Sequence, residues 1–302
     1  MQDNIAFWNT SDKLKSASFL SNLNISTPKP WPTCGFPVIL KPSSKSGSEC
    51  VFRANTNDQL QKAIEKILRV DEKIVIQEFI EGLALSLEVI ANKGEAEPLQ
   101  ITGLEFDETY GCKRVYTPIE IKADLVETFN EIGRNIAEGL MLNGLTDVQA
   151  ILNDKGIIKV NEVNARLPSQ TPTVVYHSLG INMIKLLTKL FLENTLPDIR
   201  IQPNSAVIYQ HVKILDGELR VQGEHVMSEA GELQILENFC GANEAITNLM
   251  KGKSHTGGVA TLIVKTKCLK GVKKKMETVV QRIMDEYELD KYSDPYPNKE
   301  GK

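Results

Sequence analysis

Thr146 to Gln170 reads TDVQAILNDKGIIKVNEVNARLPSQ, and its alternation of polar and apolar residues on either side of a turn decides the fold. Successive side chains of a strand point to opposite faces, so Glu162, Asn164 and Arg166 share one face while Val163 and Ala165 pack behind it. Asn153-Asp154-Lys155-Gly156 is strong turn chemistry, and a hairpin centred there with an even loop is expected to set Asp147 opposite Glu162 and Gln149 opposite Val160. Carboxylate and amide oxygens gathered on one face suit magnesium, a hard cation that keeps some waters and completes its shell with substrate phosphates. Arg166 stands next in line, where a planar guanidinium would face transferred phosphate or an oxyanion. Beyond it, Leu167 to Thr173 reads as a hydroxyl-rich loop ending the strand where a substrate would sit.

A second polar element lies upstream. Phe36 to Lys41 reads as a buried strand, Pro42 to Ser48 as a loop of small hydroxyl residues with one glycine, and Glu49 to Arg53 as a second strand. Such a loop can turn several backbone N–H groups inward as a nest for phosphate oxygens, and Lys41 would add a point charge beside them. Asp12 caps a helix ending near Ser21-Asn22. Asn57 to Leu68 has helical spacing behind Asn55-Thr56, and Lys73 to Phe79 returns as a strand. Further on come strands at Ser86 to Ala91 and Glu97 to Phe106, a helix at Leu125 to Leu142, the hairpin, and a helix at Asn182 to Leu192. Strands at Ala206 to Ile214 and Gly258 to Lys265 follow, then a helix near Lys275 to Tyr287 and a polar tail, Lys291 to Lys302, expected to be loose. This order gives an α+β fold rather than a doubly wound parallel sheet.

The 302 residues, 41% hydrophobic and 25% charged, are enough for one large domain or two modest ones. A net charge of -4 gives no electrostatic case for nucleic-acid binding, and Lys270 to Lys275 (KGVKKK) reads as the solvated start of a helix. Five cysteines with no C-x-x-C pair point to reduced thiols in a cytoplasmic protein, without a zinc site. His177, His211, His225 and His255 lack metal-ligand spacing and read as structural. No apolar run of 18 residues and no charged-then-apolar amino terminus is present, so neither a membrane span nor a signal peptide is expected.

In order and type these features resemble the ATP-grasp superfamily, whose metal signature is a carboxylate or glutamine on one strand and E-x-N on the next. The resemblance implies an ATP-grasp fold in which two α+β subdomains clasp ATP. Residues 1–80 would be the lid subdomain with its preceding helix, and residues 81–302 the large subdomain with the metal-binding strands. It implies ATP and Mg²⁺ as cofactors, with Glu162, Asn164 and either Gln149 or Asp147 as metal ligands. Lys13 and Lys41 would bind the α and β phosphates, Ser46 and Gly47 would belong to the phosphate lid, and the backbone of Glu78, Phe79 and Ile80 would bind adenine. Leu83 and Ala84 stand where many relatives carry the ribose-binding acid, leaving Glu81 or Glu88 as substitutes.

SLEVI at Ser86 to Ile90, FDETYGC at Phe106 to Cys112, and NARLPSQTPTVVYHSLGINMIKLL at Asn164 to Leu187 look like one branch of that superfamily. These are the pyrrolysine-biosynthesis ligases, which join (3R)-3-methyl-D-ornithine to the ε-amine of L-lysine. The likeness runs from about Asp12 to near Lys270. It implies Arg166 at an acyl phosphate and its oxyanion, and Asp107 or Glu108 holding the attacking ammonium or taking its proton, with a plain capped turn as their other role. Ser169, Gln170, Thr171 and Tyr176 would bind amino-acid head groups. That branch begins with an α/β domain of its own, and this chain opens directly before the first ATP lysine, so the domain is expected to be absent here. A ligase for another amino-acid pair and a catalytically silent nucleotide-binding remnant are the rival readings, and the oligomeric state stays open.

Overall fold

The computed structural model of the protein describes residues 4–199, 205–249 and 257–297. Two helices, α1 (Asn4–Ser11) and α2 (Lys13–Asn22), precede a small layer made of β1 (Val38–Pro42), β2 (Phe52–Ala54), α3 (Asn57–Ile67) and β3 (Ile74–Glu78). Its sheet has the order β2-β1-β3, antiparallel throughout. The helix α3 starts where the Thr56 hydroxyl accepts from the Gln59 amide, with Asp58 in the first turn, and it buries Leu60, Ala63 and Ile67 against Val38, Leu40 and Ala54.

The larger layer contains β4 (Gly82–Asn92), β5 (Glu95–Phe106), β6 (Cys112–Thr117), α4 (Ala123–Gly139), β7 (Gly144–Asn153) and β8 (Ile158–Asn164). It continues through α5 (Thr171–Leu179), α6 (Met183–Glu193), β9 (Ala206–Leu215), β10 (Glu218–Val221), α7 (His225–Ser228), β11 (Gln234–Glu237) and β12 (Glu244–Thr247). The described chain ends with β13 (Gly258–Thr266), α8 (Leu269–Glu286) and β14 (Lys291–Ser293). One sheet runs β11-β12-β13-β9-β6-β5-β4-β7-β8, with β10 on β9 and β14 parallel to β10. Phe129, Ile136 and Ala137 of α4 pack on Leu85, Leu87 and Val89 of β4, while Val272, Val279 and Ile283 of α8 cover Ile208, Val212 and Leu262. Burying these faces is the main driving force for the layer, at about 25 cal/mol per Å² of apolar surface. The α+β expectation holds.

The hairpin β7–β8 corrects the expected register. Its loop has three residues, Asp154 to Gly156, with Gly156 in the left-handed region (φ 75°) and the Asn153 side chain accepting from Lys155 and Ile157. A bulge follows at Asn161, so Ala150 faces Val160 but Gln149 faces Glu162, and Asp147 faces Asn164. Loop and bulge each slip the pairing by one residue in the same direction. Because side chains alternate with a period of two, the two slips together return every polar group to its face.

Four further points differ from the sequence reading. Leu167 to Thr173 is only partly loop, because α5 begins at Thr171 with Pro172 in its first turn, where a missing N–H costs nothing. The strand β6, without an apolar run, follows directly on the DETYG turn. Lys291 to Pro297 is not loose: it forms β14 and then crosses the sheet, while residues 298–302 lie outside the described residues. The Lys270 to Lys275 cluster falls within the first turns of α8, which starts six residues earlier than the apolar spacing suggested. No helix among the described residues is long and apolar enough to cross a membrane. Cys34, Cys50, Cys112, Cys240 and Cys268 are all free.

Gly82, at the start of β4, passes so close to β7 that a Cβ there would lie 2.3 Å from the Leu152 carbonyl oxygen. The obstacle is backbone and cannot rotate away. Gly82→Ala is therefore expected to destabilise the chain by about 1–3 kcal/mol, read as a lower denaturation midpoint; an unchanged midpoint would show that the strands separate freely here.

Candidate active site

Between the small layer and the large sheet lies a cavity of about 630 Å³. On its small-layer side, Asp12 caps α2 by accepting from the Leu14 and Lys15 amides and also accepts from the Ser43 hydroxyl at 2.8 Å. The Lys13 amide donates to the Ser43 carbonyl, so the start of α2 is fastened to the end of β1. This fastening aims Lys13 into the cavity, where its Nζ donates to the Lys45 carbonyl and stands 3.9 Å from Glu162. Lys41 projects from β1 into the same space and donates to the Asn161 carbonyl at 3.1 Å, the residue left over by the bulge. Burial pulls the Lys41 amine below the ordinary lysine range, and Glu162 works against that shift.

Ser46 and Gly47 also line the cavity, in a loop anchored where Asp71 accepts from the Ser44 amide and hydroxyl, both at 2.8 Å. Gly47 has φ +66°. Gln77 to Gly82 form the opposite rim. There the amides of Glu78 and Phe79 donate to the carbonyls of Lys29 and Pro37, and the Glu78 carboxylate is ion-paired with Lys159. Arg53 lies 4.1 Å above the Phe79 ring and lines the cavity too. Neither Arg53 nor Lys159 belonged to a recognisable motif.

The floor is the polar face of β7 and β8. Asp147, Gln149, Glu162, Asn164 and Arg166 all line the cavity. Asp147 is buried, and its Oδ2 accepts from the amides of Gln149 at 3.1 Å and Asn164 at 3.2 Å. Those bonds turn both amide groups so that their oxygens are free of Asp147. The other Asp147 oxygen has no protein partner. Desolvation raises the Asp147 pKa to about 6, against the amide donors and Arg166. Among the described residues no cluster of three or more His, Cys, Asp or Glu is placed to hold a metal. The floor offers two carboxylates and two amides instead, and this all-oxygen set with one orphaned buried oxygen fits a hard divalent cation.

Glu88 is not placed to meet a ribose. It lies opposite Asp147 on β4, on the same face of the sheet but completely buried and outside the cavity lining, where burial and the facing carboxylate hold its pKa well up. Glu81 does line the cavity.

Asp107 and Glu108 also fall outside the lining. Asp107 is buried as the organiser of a turn: Oδ1 accepts from the Thr109 amide and hydroxyl and the Gly111 amide, and Oδ2 from the Gly223 amide at 2.8 Å. With four donors on it, the group is a capped turn rather than a proton acceptor. Glu108 is ion-paired with Arg220. Tyr176 faces outward from α5, 52% exposed and edge-on to His177. Ser169, Gln170 and Thr171 do line the cavity, and the first two donate to Glu224, at 3.1 and 2.7 Å. Glu224 and Glu105 are the carboxylates that this end presents. Nothing in the local sequence around Glu224 marks it, because its place follows from β10 and α7 packing beside the DETYG turn. His177 and His211 are on packed elements, and burial lowers the His211 pKa to about 4; His255 lies outside the described residues.

A loop of small residues, two lysines and an oxygen-rich floor surround one cavity, and residues 10–170 match the ATP-grasp domain family, to which the chain belongs. It is similar to the 3-methyl-D-ornithine–L-lysine ligase of Methanosarcina barkeri (strain Fusaro / DSM 804), with 34% identity over 221 residues, 72% of this chain and 56% of that protein. The chain thus spans about half the length of that relative. It is also 30% identical over 168 residues to a D-alanine–D-alanine ligase of Halothermothrix orenii (strain H 168 / OCM 544 / DSM 9562), covering 52% of this chain and 49% of that one. Among solved structures, the biotin carboxylase of Campylobacter jejuni superposes with a TM-score of 0.74 at 14% identity, over 93% of this chain and 68% of the other.

Proposed function

We propose that this chain is an ATP-dependent carboxylate–amine ligase that joins (3R)-3-methyl-D-ornithine to the ε-amine of L-lysine through an acyl phosphate. The observation that carries the reading is the facing of two lysines, Lys13 and Lys41, with an oxygen-rich floor across one cavity whose far end is acidic. Residues 1–80 act as the lid with its leading helix, and residues 81–302 as the body. Lys13 and Lys41 hold nucleotide phosphates under the Ser46-Gly47 loop. Adenine lies against the hinge, read through Ile80, since the Glu78 and Phe79 amides are already committed to Lys29 and Pro37.

Glu162 and Asn164 with Gln149 or Asp147 would hold magnesium: Asp147 Oδ2 orients the two amides, and its unpartnered Oδ1 is left for the cation. When bound, the cation neutralises charge on the transferred phosphoryl group. Forming an amide from a carboxylate in water is uphill, so ATP converts the carboxylate into an acyl phosphate with a good leaving group. Arg166 faces the activated carbonyl and stabilises the oxyanion formed on attack by the amine. The amine, with a pKa of about 10.4 in solution, binds as an ammonium and must lose its proton before it attacks; Glu105 and Glu224, at the amino-acid end of the cavity, would hold the ammonium and accept that proton.

Phosphate release from ATP and magnesium tests this. Release is expected only when a D-ornithine-type amino acid and L-lysine are both present. Turnover with D-alanine alone would move the chain toward the D-alanine ligases, and ADP binding without turnover on any pair would make it a silent remnant.

Lys41→Met keeps the length and loses the charge. Hydrogen bonds to charged groups contribute about 1.5–3 kcal/mol, so ADP affinity is expected to fall about 10- to 100-fold by calorimetry while the fold tolerates a buried methionine. Unaltered affinity would remove Lys41 from the phosphate site.

A further inference from the structure

The cavity's acidic end is closed by the segment after β14. Asp294 to Pro297 crosses β6, and Tyr296 and Pro297 form part of the cavity wall. The anchor beneath is unusual. Lys113 is completely buried, and the partners that receive its charge belong to this strap: Asp294 Oδ1 at 2.5 Å, the Pro295 carbonyl at 2.6 Å, and the Tyr296 ring at 3.3 Å. Arg114 donates to the other Asp294 oxygen at 2.7 Å, to Gln210 at 2.7 Å, and to Glu105. The Tyr296 hydroxyl then donates to Glu105 at 3.1 Å, tying the wall to a carboxylate that lines the cavity. The strap's root is fixed where Lys291 and Ser293 meet Glu218. A buried lysine is costly unless paired and hydrogen-bonded, so the strap's position is well determined.

The strap also sets the sign of the charge at this end. Lys113, Arg114, Glu105, Glu224 and Asp294 together carry one net negative charge, and without Asp294 they would carry none. Two of the rings nearby, Tyr116 and Tyr296, line the same wall. An aromatic wall with a negative surplus favours an alkyl ammonium over a neutral or anionic group.

We propose that the strap Asp294 to Pro297 is a specificity element of the amino-acid end, selecting substrates that carry an additional ammonium group on their side chain. The proposal deepens the ligase reading and rests on it for the substrate class. Tyr296 supplies the wall, and Asp294 together with Glu105 balances Lys113 and Arg114, which would otherwise repel the ammonium.

The test is binding to the full chain with ADP and magnesium present, by calorimetry. D-Ornithine is compared with D-norvaline, and L-lysine with L-norleucine, so that each pair differs by the side-chain amine. The unaltered chain is expected to prefer at least one basic amino acid over its neutral partner by tenfold or more. Asp294→Asn and Tyr296→Ala should reduce that preference to threefold or less, with ADP affinity unchanged and Tyr296→Phe intermediate. A merely structural strap would lower the melting temperature and leave the preference intact, which overturns the proposal. So does an unaltered chain with no preference in either pair. Selective binding without phosphate release in the unaltered chain would sink the ligase reading while leaving the strap's role standing.

Discussion

A Glu162→Gln chain is expected to bind ADP without magnesium as the unaltered chain does, and to lose at least about a hundredfold of its magnesium-dependent phosphate release. Groups that only support a metal ligand typically contribute about 10- to 100-fold to metal affinity or activity, and Glu162 is placed as a direct charged ligand. The amide keeps the size and an oxygen, so what is lost is charge. Folding should respond less than turnover, because the ion pair with Lys13 is long, at 3.9 Å, and the lost charge acts on the fold mainly through the burial of Lys41 that Glu162 offsets. Calorimetric titration with ADP alone and with magnesium and ADP separates nucleotide binding from metal binding. Equal magnesium enhancement in both chains would remove Glu162 from the metal site and leave the floor as a solvated polar face.

The identity of the floor was legible in the sequence because alternation is a local property. Asn164, Glu162, Gln149 and Asp147 had to share a face whatever the exact pairing, provided the slips summed to an even number. The pairing itself was not legible, since a three-residue loop and a bulge at Asn161 both depend on contacts made elsewhere, one of them the Lys41 amine at the Asn161 carbonyl. The start of α2 was readable for a similar local reason, the Asp12 cap before an apolar spacing, whereas the role of Lys13 came only from the family resemblance. The amino-acid end was much less readable. Glu224, Glu105 and Tyr296 come together from β10–α7, β5 and the carboxyl tail, and each is an ordinary surface residue in its own stretch. Asp107 misled because an acid in a conspicuous string can be spent on four backbone and hydroxyl donors. The helix α5 was hidden by Pro172 and its β-branched neighbours, a composition that reads as loop unless the proline falls in the first turn.

The last residue of the floor carries the sharpest division between binding and chemistry. Arg166 follows β8, lines the cavity, and lies near enough to Asp147 and Glu88 to favour their charged forms. If it serves the acyl phosphate and the oxyanion, Arg166→Lys keeps the positive charge and loses the planar fork that can hold two oxygens at once. The charge balance against Asp147 is preserved, so the floor should keep its arrangement and ADP affinity should stay near that of the unaltered chain. Removing one fixed oxyanion donor costs about 10²- to 10³-fold in rate. Ligation is therefore expected to fall by that order, with amino-acid KM values little changed. Single-turnover phosphate release and calorimetry, run on the same preparation, read the two effects independently. A chain that ligates at the normal rate would place Arg166 as a structural neighbour of Asp147. One that loses nucleotide affinity and rate in equal measure would make it a ground-state phosphate contact, and the oxyanion would then need another donor from the Pro168 to Thr171 segment that borders the same cavity.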